Sequence, residues 1–370
     1  MKELRIKDIC DKGSSNLKQK DVEGKNGLYP VYGASGIISH IDTYHQEANY
    51  IAIVKDGSGI GRVSFMPAKS SVIGTMQYIL PKEGFNINYI GYCLQSLDLS
   101  KYKQGAAIPH IYFRDYGERV VKVTEDINEQ QSIVDYLDSA FAKIDAMKAN
   151  AEKSLNEAKA LFQASLKEML EPKEGWEEKK LDDIGELKNG MNFNKNESGY
   201  NIHILGVGDF GNLFQIEDTD YLQRIALNSN PSEEYILKNE DIVFVRSNGN
   251  KNLVGRCVLI HVGDEPCFFS GFCIRFRKST NEVDACYLTY FLKTEESRRK
   301  LVGNGANISN LNQKVLNEFV VSYPSIQEQQ SIVETLDSLK SKVDRLQENY
   351  NKISQECDAL KQAILRQVFE

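Results

Sequence analysis

The chain has 370 residues, 41% of them hydrophobic, and a net charge of −7, which is enough length to bury two independent cores. No apolar run approaches the roughly 20 residues of a membrane span. The seven cysteines form no CxxC pair and the five histidines no ligand spacing, and Met1–Arg5 opens directly into charged, alternating sequence. The expectation is a reduced, cytoplasmic, metal-free protein with no signal peptide and no membrane association.

In chain order, residues 1–127 mix short strand-like runs with turns. Tyr50-Ile51-Ala52-Ile53-Val54 predicts a buried strand that ends in the turn Lys55-Asp56-Gly57-Ser58-Gly59. Ile90 to Leu99 predicts a short helix, and Val120 to Val123 a closing strand. Residues 128–173 predict a long helix, with Asp126-x-x-Glu129 placed to cap it. Its seam is Ile133, Leu137, Ala140, Ile144, Met147 and Ala151, followed after a stutter by Leu155, Ala158 and Phe162. Pro172 and Gly175 terminate it.

Residues 174–325 repeat this logic. Asp241 to Val245 predicts a strand running into the polar loop Arg246-Ser247-Asn248-Gly249-Asn250-Lys251-Asn252, and Cys286 to Lys300 a helix with a basic end at Arg298-Arg299-Lys300. Residues 326–370 carry an unbroken heptad seam, namely Ile332, Leu336, Leu339, Val343, Leu346, Tyr350, Ile353, Cys357, Leu360 and Ile364, behind the capping box Ser325-x-x-Glu328. At 1.5 Å per residue each helix of about 40 residues spans about 60 Å. Each seam requires a partner. Pairing of the two helices with each other requires an antiparallel arrangement with one globular domain at each end. Pairing with a second chain gives an oligomer instead.

Residues Glu129 to Ser139 and Glu328 to Ser338 are identical at nine of eleven positions. The similarity extends upstream: Gly105-Ala106-Ala107-Ile108-Pro109-His110-Ile111 matches Gly305-Ala306-Asn307-Ile308-Ser309-Asn310-Leu311, and Val120-Val121 matches Val320-Val321. Ile53-Val54-Lys55 resembles Phe244-Val245-Arg246, and Gly61-Arg62-Val63 resembles Gly255-Arg256-Cys257. The chain is therefore an internal duplication with a period near 200, the size of a domain plus a connector rather than of a solenoid repeat. The fold class this implies is α+β, with two similar globular domains, two long antiparallel coiled-coil helices and a pseudo-two-fold relation between the halves.

The loops that follow the matched strands hold Arg, Lys, Asn and Ser, the residue types that reach base edges and phosphates. The candidates are Lys55, Ser58 and Arg62, with Tyr32, Ser35 and His110, in the first copy. In the second they are Arg246, Ser247, Asn248, Asn250, Lys251 and Arg256, with Asn307 and Asn310. Residues 1–127 carry 16 basic and 14 acidic side chains, and residues 174–325 carry 17 and 22. Neither copy is strongly basic, so DNA would have to be met by a local face or by a partner's charge. No Walker A, GxSxG or HExxH pattern is present, and Asn230-Pro231-Ser232-Glu233 fails as an amino-methyltransferase tetrapeptide. His110 is replaced by Asn310 in the second copy, which argues against a catalytic histidine.

With the paired helix starts Glu129-Gln130-Gln131 and Pro324-Ser325-Ile326-Gln327-Glu328-Gln329-Gln330, the run Tyr29-Pro30-Val31-Tyr32-Gly33-Ala34-Ser35-Gly36-Ile37, and Gly105 to His110, the whole chain resembles a specificity subunit of a type I restriction–modification system. One departure is Glu125-Asp126, where the second copy has Pro324-Ser325. The resemblance implies two target recognition domains, each reading one half of a split double-stranded DNA site, on helices that fix the spacing. It implies two modification subunits docked on the helices and motor–nuclease restriction subunits joining the complex. S-adenosylmethionine, ATP and Mg would then belong to those partners, and this chain would hold no cofactor and be non-catalytic. The competing readings are a coiled-coil scaffold with two protein-binding end domains and no DNA specificity, and a stand-alone nuclease or methyltransferase.

Overall fold

The computed structural model describes residues 1–105, 109–194, 197–302 and 310–370, without the side chain of Lys251. It divides into two compact units, Met1–Ser154 with Glu348–Glu370, and Leu155–Gln347. Each unit holds a strand-rich domain and a length of both long helices, Ile127–Leu170 and Ile326–Phe369.

In the first unit an antiparallel four-stranded sheet runs in the order Cys10–Ser14, Met76–Pro81, Tyr50–Val54, Val63–Met66. The predicted strand Tyr50–Val54 is central and buried at every residue, as a run of consecutive apolar residues requires. A three-stranded sheet, Gly36–Ile41, Tyr29–Gly33 and Ser71–Val72, adjoins in sequence. The domain closes where Val120–Val123 pairs with Lys2–Arg5.

The second unit repeats the plan. Gly185–Asn189, Cys273–Lys278, Ile242–Val245 and Cys257–Ile260 form the same order of strands, extended by Gln215–Ile216. A second sheet holds Arg224–Leu227, Tyr200–Leu205 and Cys267–Phe269, and Val320–Tyr323 pairs with Glu177–Lys180. In this unit the buried carboxylate of Asp241, fully shielded from solvent, takes both arms of the Arg277 guanidinium at 2.7 Å.

A helix packs on each four-stranded core. Ile87–Ser96 is capped by Asn86, whose side chain accepts from the N–H groups of Asn88 and Tyr89. It begins three residues before the expected start, because Asn86 supplies the cap. Ala285–Lys293 is its counterpart, capped by Asp284. The single helix expected over Cys286 to Lys300 is in fact two, Ala285–Lys293 and Glu295–Val302. Thr294 breaks the run: its backbone is extended, its hydroxyl donates to the Phe291 carbonyl and accepts from the Ser297 N–H. A short hydroxyl side chain that bonds nearby backbone favours a cap over a helix interior.

The Glu-Gln-Gln motif has a structural reason in both units. The Gln130 amide is fully buried, accepts from the Asn86 N–H at 2.7 Å, and donates to the carbonyls of Gly84 and Thr124 at 3.1 and 2.9 Å. Gln329, equally buried, accepts from the Asp284 N–H and donates to the carbonyls of Glu282 and Pro324, all at 2.8 Å. Each glutamine therefore ties the start of a long helix to the loop that caps the domain helix. Tyr92 to Asp138 and Tyr290 to Asp337 form equivalent second ties.

In the first unit Lys148 reaches Asp358, and Asp145 reaches Lys361, so the two helices run antiparallel there. Ile144, Leu137 and Cys357 lie buried on that seam. Two seam assignments fail: Met147 and Leu360 are exposed, at 58% and 48%. The buried positions pass instead to Leu365 and Phe369, which join the first domain's core. A strict heptad drifts around a 3.6-residue helix, and here the globular core decides which face turns inward. Among the described residues, no helix is long and apolar enough to cross a membrane.

Candidate nucleic-acid interface

In both units the end of the central strand is fixed by the same backbone frame. The Lys55 carbonyl accepts from the Ile111 N–H at 3.0 Å, and the Arg246 carbonyl accepts from the Leu311 N–H at 2.8 Å. Asp56 and His110 form an isolated bridge, as do Ser247 and Asn310. The loops then turn back at Gly61 and Gly255, whose N–H groups donate to Val54 and Val245. Both glycines have positive φ, 84° and 77°, a region that other residues rarely adopt. At Gly61 a Cβ would also lie 2.8 Å from the Ser100 nitrogen.

The frame carries different side chains in each copy. In the first unit, Lys55 sits 3.8 Å from Asp56, and the Asp56 carboxylate also holds Nδ1 of His110. The His110 ring lies against Tyr112, over which the Arg114 guanidinium stacks at 4.4 Å. Arg62 extends to the Ala34 carbonyl at 2.9 Å, so the Tyr32–Ser35 turn and the strand-end loop are brought together. Tyr32 is half-buried against the cluster around Tyr50, whereas Ser35 and Ser58 are exposed. Tyr112 and Arg114 were missed in the sequence, although an aromatic and an arginine two residues apart beside a candidate loop are a usable signal.

In the second unit, the Arg246 guanidinium folds onto the Gly271 carbonyl at 3.3 Å, beside Phe272, which is 61% exposed. Asn248 and Asn250 each turn a side-chain oxygen back to a backbone N–H two residues on, at 2.7 and 3.1 Å. These Asx turns shape the loop and leave the amide nitrogens as the groups suited to reach outward. Ser247 and Asn248 line a cleft of about 1000 Å³ with Phe193, Asn194, Gln223 and Phe272. Arg256 is directed elsewhere, to the Gly211 carbonyl at 2.7 Å and the Asn212 side chain at 3.1 Å. Asn310 is exposed at the bridge with Ser247. Asn307 and the side chain of Lys251 lie outside the described residues. Phe193, Asn194, Gln223 and Phe272 come from three separate segments, and no local pattern marks them.

All seven cysteines are unpaired. Burial pushes the thiols of Cys93, Cys267 and Cys273 up to about 12, the direction expected of inert core thiols. Among the described residues, no group of three or more His, Cys, Asp or Glu is placed to hold a metal ion.

The model of the type I restriction modification DNA specificity domain matches residues 1–157 and 173–355. The chain is 26% identical over 311 residues to the type I restriction enzyme StySPI specificity subunit of Salmonella potsdam, an alignment covering 78% of this chain and 66%, just under two thirds, of that protein. It is 25% identical over 342 residues to the MjaVIII specificity subunit of Methanocaldococcus jannaschii, covering 86% of this chain and 77% of that one. In fold it resembles a chain from a solved structure concerned with complex assembly and conformational transition of the type I R-M system. That match has a TM-score of 0.72 and 15% identity, and covers 98% of this chain and 96% of the other.

Proposed function

Since this chain belongs to the type I restriction modification DNA specificity domain family, we propose that it is the sequence-reading subunit of such a system. Residues 1–127 and 174–325 act as target recognition domains, and the helices of residues 128–173 and 326–370 set the distance between the two half-sites. The observation that carries this reading is the shared strand-end frame with unlike side chains: Lys55, Asp56 and His110 stand where Arg246, Ser247 and Asn310 stand in the other copy. One scaffold that presents two different polar sets suits an asymmetric bipartite site. Two identical readers would suit a palindrome.

In the first domain, Lys55, Ser58, Arg62, Tyr32, Ser35 and His110 contact one half-site. In the second, Arg246, Ser247, Asn248, Asn250, Lys251 and Arg256 contact the other, together with Asn307 and Asn310. Arginine and asparagine are the side chains that pair in two-pronged fashion with guanine and adenine in the major groove. The chain itself is non-catalytic and works in the cytoplasm. Two modification subunits dock on the helices and bring S-adenosylmethionine, and restriction subunits bring ATP and Mg. With neither domain strongly basic, those partners close around the duplex and supply part of the phosphate contacts.

Selection of duplexes from a random pool by the chain assembled with its modification subunits tests this reading. A split motif with an unread spacer is the expected result. Selection of a continuous motif would contradict the arrangement of two separate readers, and selection of none by an assembled complex would favour a protein-binding scaffold.

A further inference from the structure

The second unit contains a cleft of about 360 Å³ at the foot of the 246–256 loop. Four cationic side chains line it, Arg256, Lys293, Arg298 and Lys340, and among the described lining residues there is no carboxylate. Their partners are mostly neutral. Arg256 donates to the Gly211 carbonyl and the Asn212 side chain, Lys293 to the Leu213 carbonyl at 2.8 Å, and Arg298 to the Asn252 carbonyl at 3.0 Å. Among the described residues only Lys340 of the four pairs with an acid, Asp344, one turn along its own helix. The Arg298 Nε is buried with no hydrogen-bond partner. Burial lowers the proton affinity of Lys293; the neighbouring Cys257 opposes this, and Arg256, Arg298 and Lys340 lower it further. Like charges gathered around a cleft without a counter-ion repel one another, and an anion placed among them removes that cost.

Among the described residues the first unit does not repeat this set of cations. Counting from the helix caps Asn86 and Asp284, the position of Lys293 is held by Gln95, whose side chain donates to the Val63 carbonyl. From the paired glutamines Gln130 and Gln329, the position of Lys340 is held by Phe141. By the same count from the helix caps Ser100 stands where Arg298 does, whereas the arginine of the strand-end turn, Arg62 or Arg256, is common to both.

We propose that the cleft formed by Arg256, Lys293, Arg298 and Lys340 binds a phosphate oxyanion. On the reading of the chain as a DNA-recognition subunit, on which this step rests, the occupant is a backbone phosphate of the half-site read by residues 174–325. Arg298 bonds the backbone of Asn252, so the phosphate site and the reading loop are coupled mechanically. Arg256 then positions the duplex instead of reading a base. A phosphate contact of this kind fixes register and carries no sequence information.

The test compares the full chain with the Lys293→Gln/Lys340→Phe variant, which installs the residues of the first unit. Lys340→Phe alone, at a partly exposed helix position, and Arg298→Met serve as second variants if the double change impairs folding. Two readouts are taken. One is the thermal midpoint in inorganic phosphate against chloride at equal ionic strength. The other is the slope of log K against log salt for duplex DNA, measured on the chain assembled with its modification subunits. Phosphate should raise the midpoint of the parent and not of the variants. The slope should fall by about 1 for each DNA phosphate that the variant no longer neutralises, with base preference unchanged. Loss of the phosphate effect with an unchanged slope would assign the cleft to free phosphate and reject the duplex as occupant. No phosphate effect in the parent and an unchanged slope in the variants would overturn the site while leaving DNA reading intact. A parent that binds phosphate but no DNA would instead reject the functional reading and keep the site.

Discussion

Replacing Gln130 by alanine should destabilise the first unit more than its position at a helix start suggests. The side chain is fully buried and makes three hydrogen bonds, one accepted from the Asn86 N–H and two donated to carbonyls. Alanine leaves the Asn86 N–H and the two carbonyls without those partners. Stranding a buried polar group costs about 1–3 kcal/mol, and a carbonyl tolerates a lost partner better than an N–H does, so the sum is roughly 3 kcal/mol rather than three full penalties. For a unit of roughly 150–250 residues this lowers Tm by about 6–12 °C. Gln130→Glu should be no better, because a carboxylate would face the carbonyls of Gly84 and Thr124. Gln329→Ala should act in the same way on the second unit. Calorimetry of the full chain reads the midpoints, and hydrogen exchange reads the Asn86 and Asp284 amides directly. A cost below about 1 kcal/mol for both alanine variants, with the two amides still protected, would refute the clamp.

Three further outcomes are expected. Arg246→Ala should cost about 1–3 kcal/mol in specific over non-specific DNA binding if the guanidinium meets a base edge; unchanged discrimination in a competition assay would remove it from the reading set. Asp241→Ala should destabilise the second unit by about 2–4 kcal/mol, somewhat below the usual cost of breaking a buried pair because Arg277 is about one quarter exposed; a urea midpoint within error of the parent would contradict this. Since burial raises the thiols of Cys93, Cys267 and Cys273, the thiolate that reacts is scarce at neutral pH. A thiol reagent should therefore label them only as the chain unfolds, and rapid labelling of the native protein would show that these cores open.

The periodic parts of this molecule were readable because they obey local rules. The two long helices, the strand at Tyr50–Val54 and the closing strand at Val120–Val123 follow from spacing and apolar runs. The repeat correctly paired Lys55 with Arg246 and Gly61 with Gly255, which turn out to occupy the same backbone frame. What local rules miss is tertiary choice. Thr294 stops a helix through two hydrogen bonds that no hydrophobic pattern encodes. Met147 and Leu360 keep the heptad yet face solvent, and on the second long helix the first domain's core takes Leu365 and Phe369 in place of Leu360. The cationic cleft was illegible for the same reason: Arg256, Lys293, Arg298 and Lys340 come from a strand end and three helices, and only folding brings them together. The Glu-Gln-Gln motif was recognised as a repeat, but its buried clamp was visible only in three dimensions.

If each domain reads one half of a split site, the two halves must be separable by mutation. Methylome sequencing of a host expressing this chain with its neighbouring modification subunit, alongside a variant with residues 246–252 replaced, tests this most directly. The expected result is a bipartite motif with methyladenine in both halves, and a change confined to one half when the loop is replaced. A motif altered in both halves, or no new motif from a complex that assembles, would contradict it.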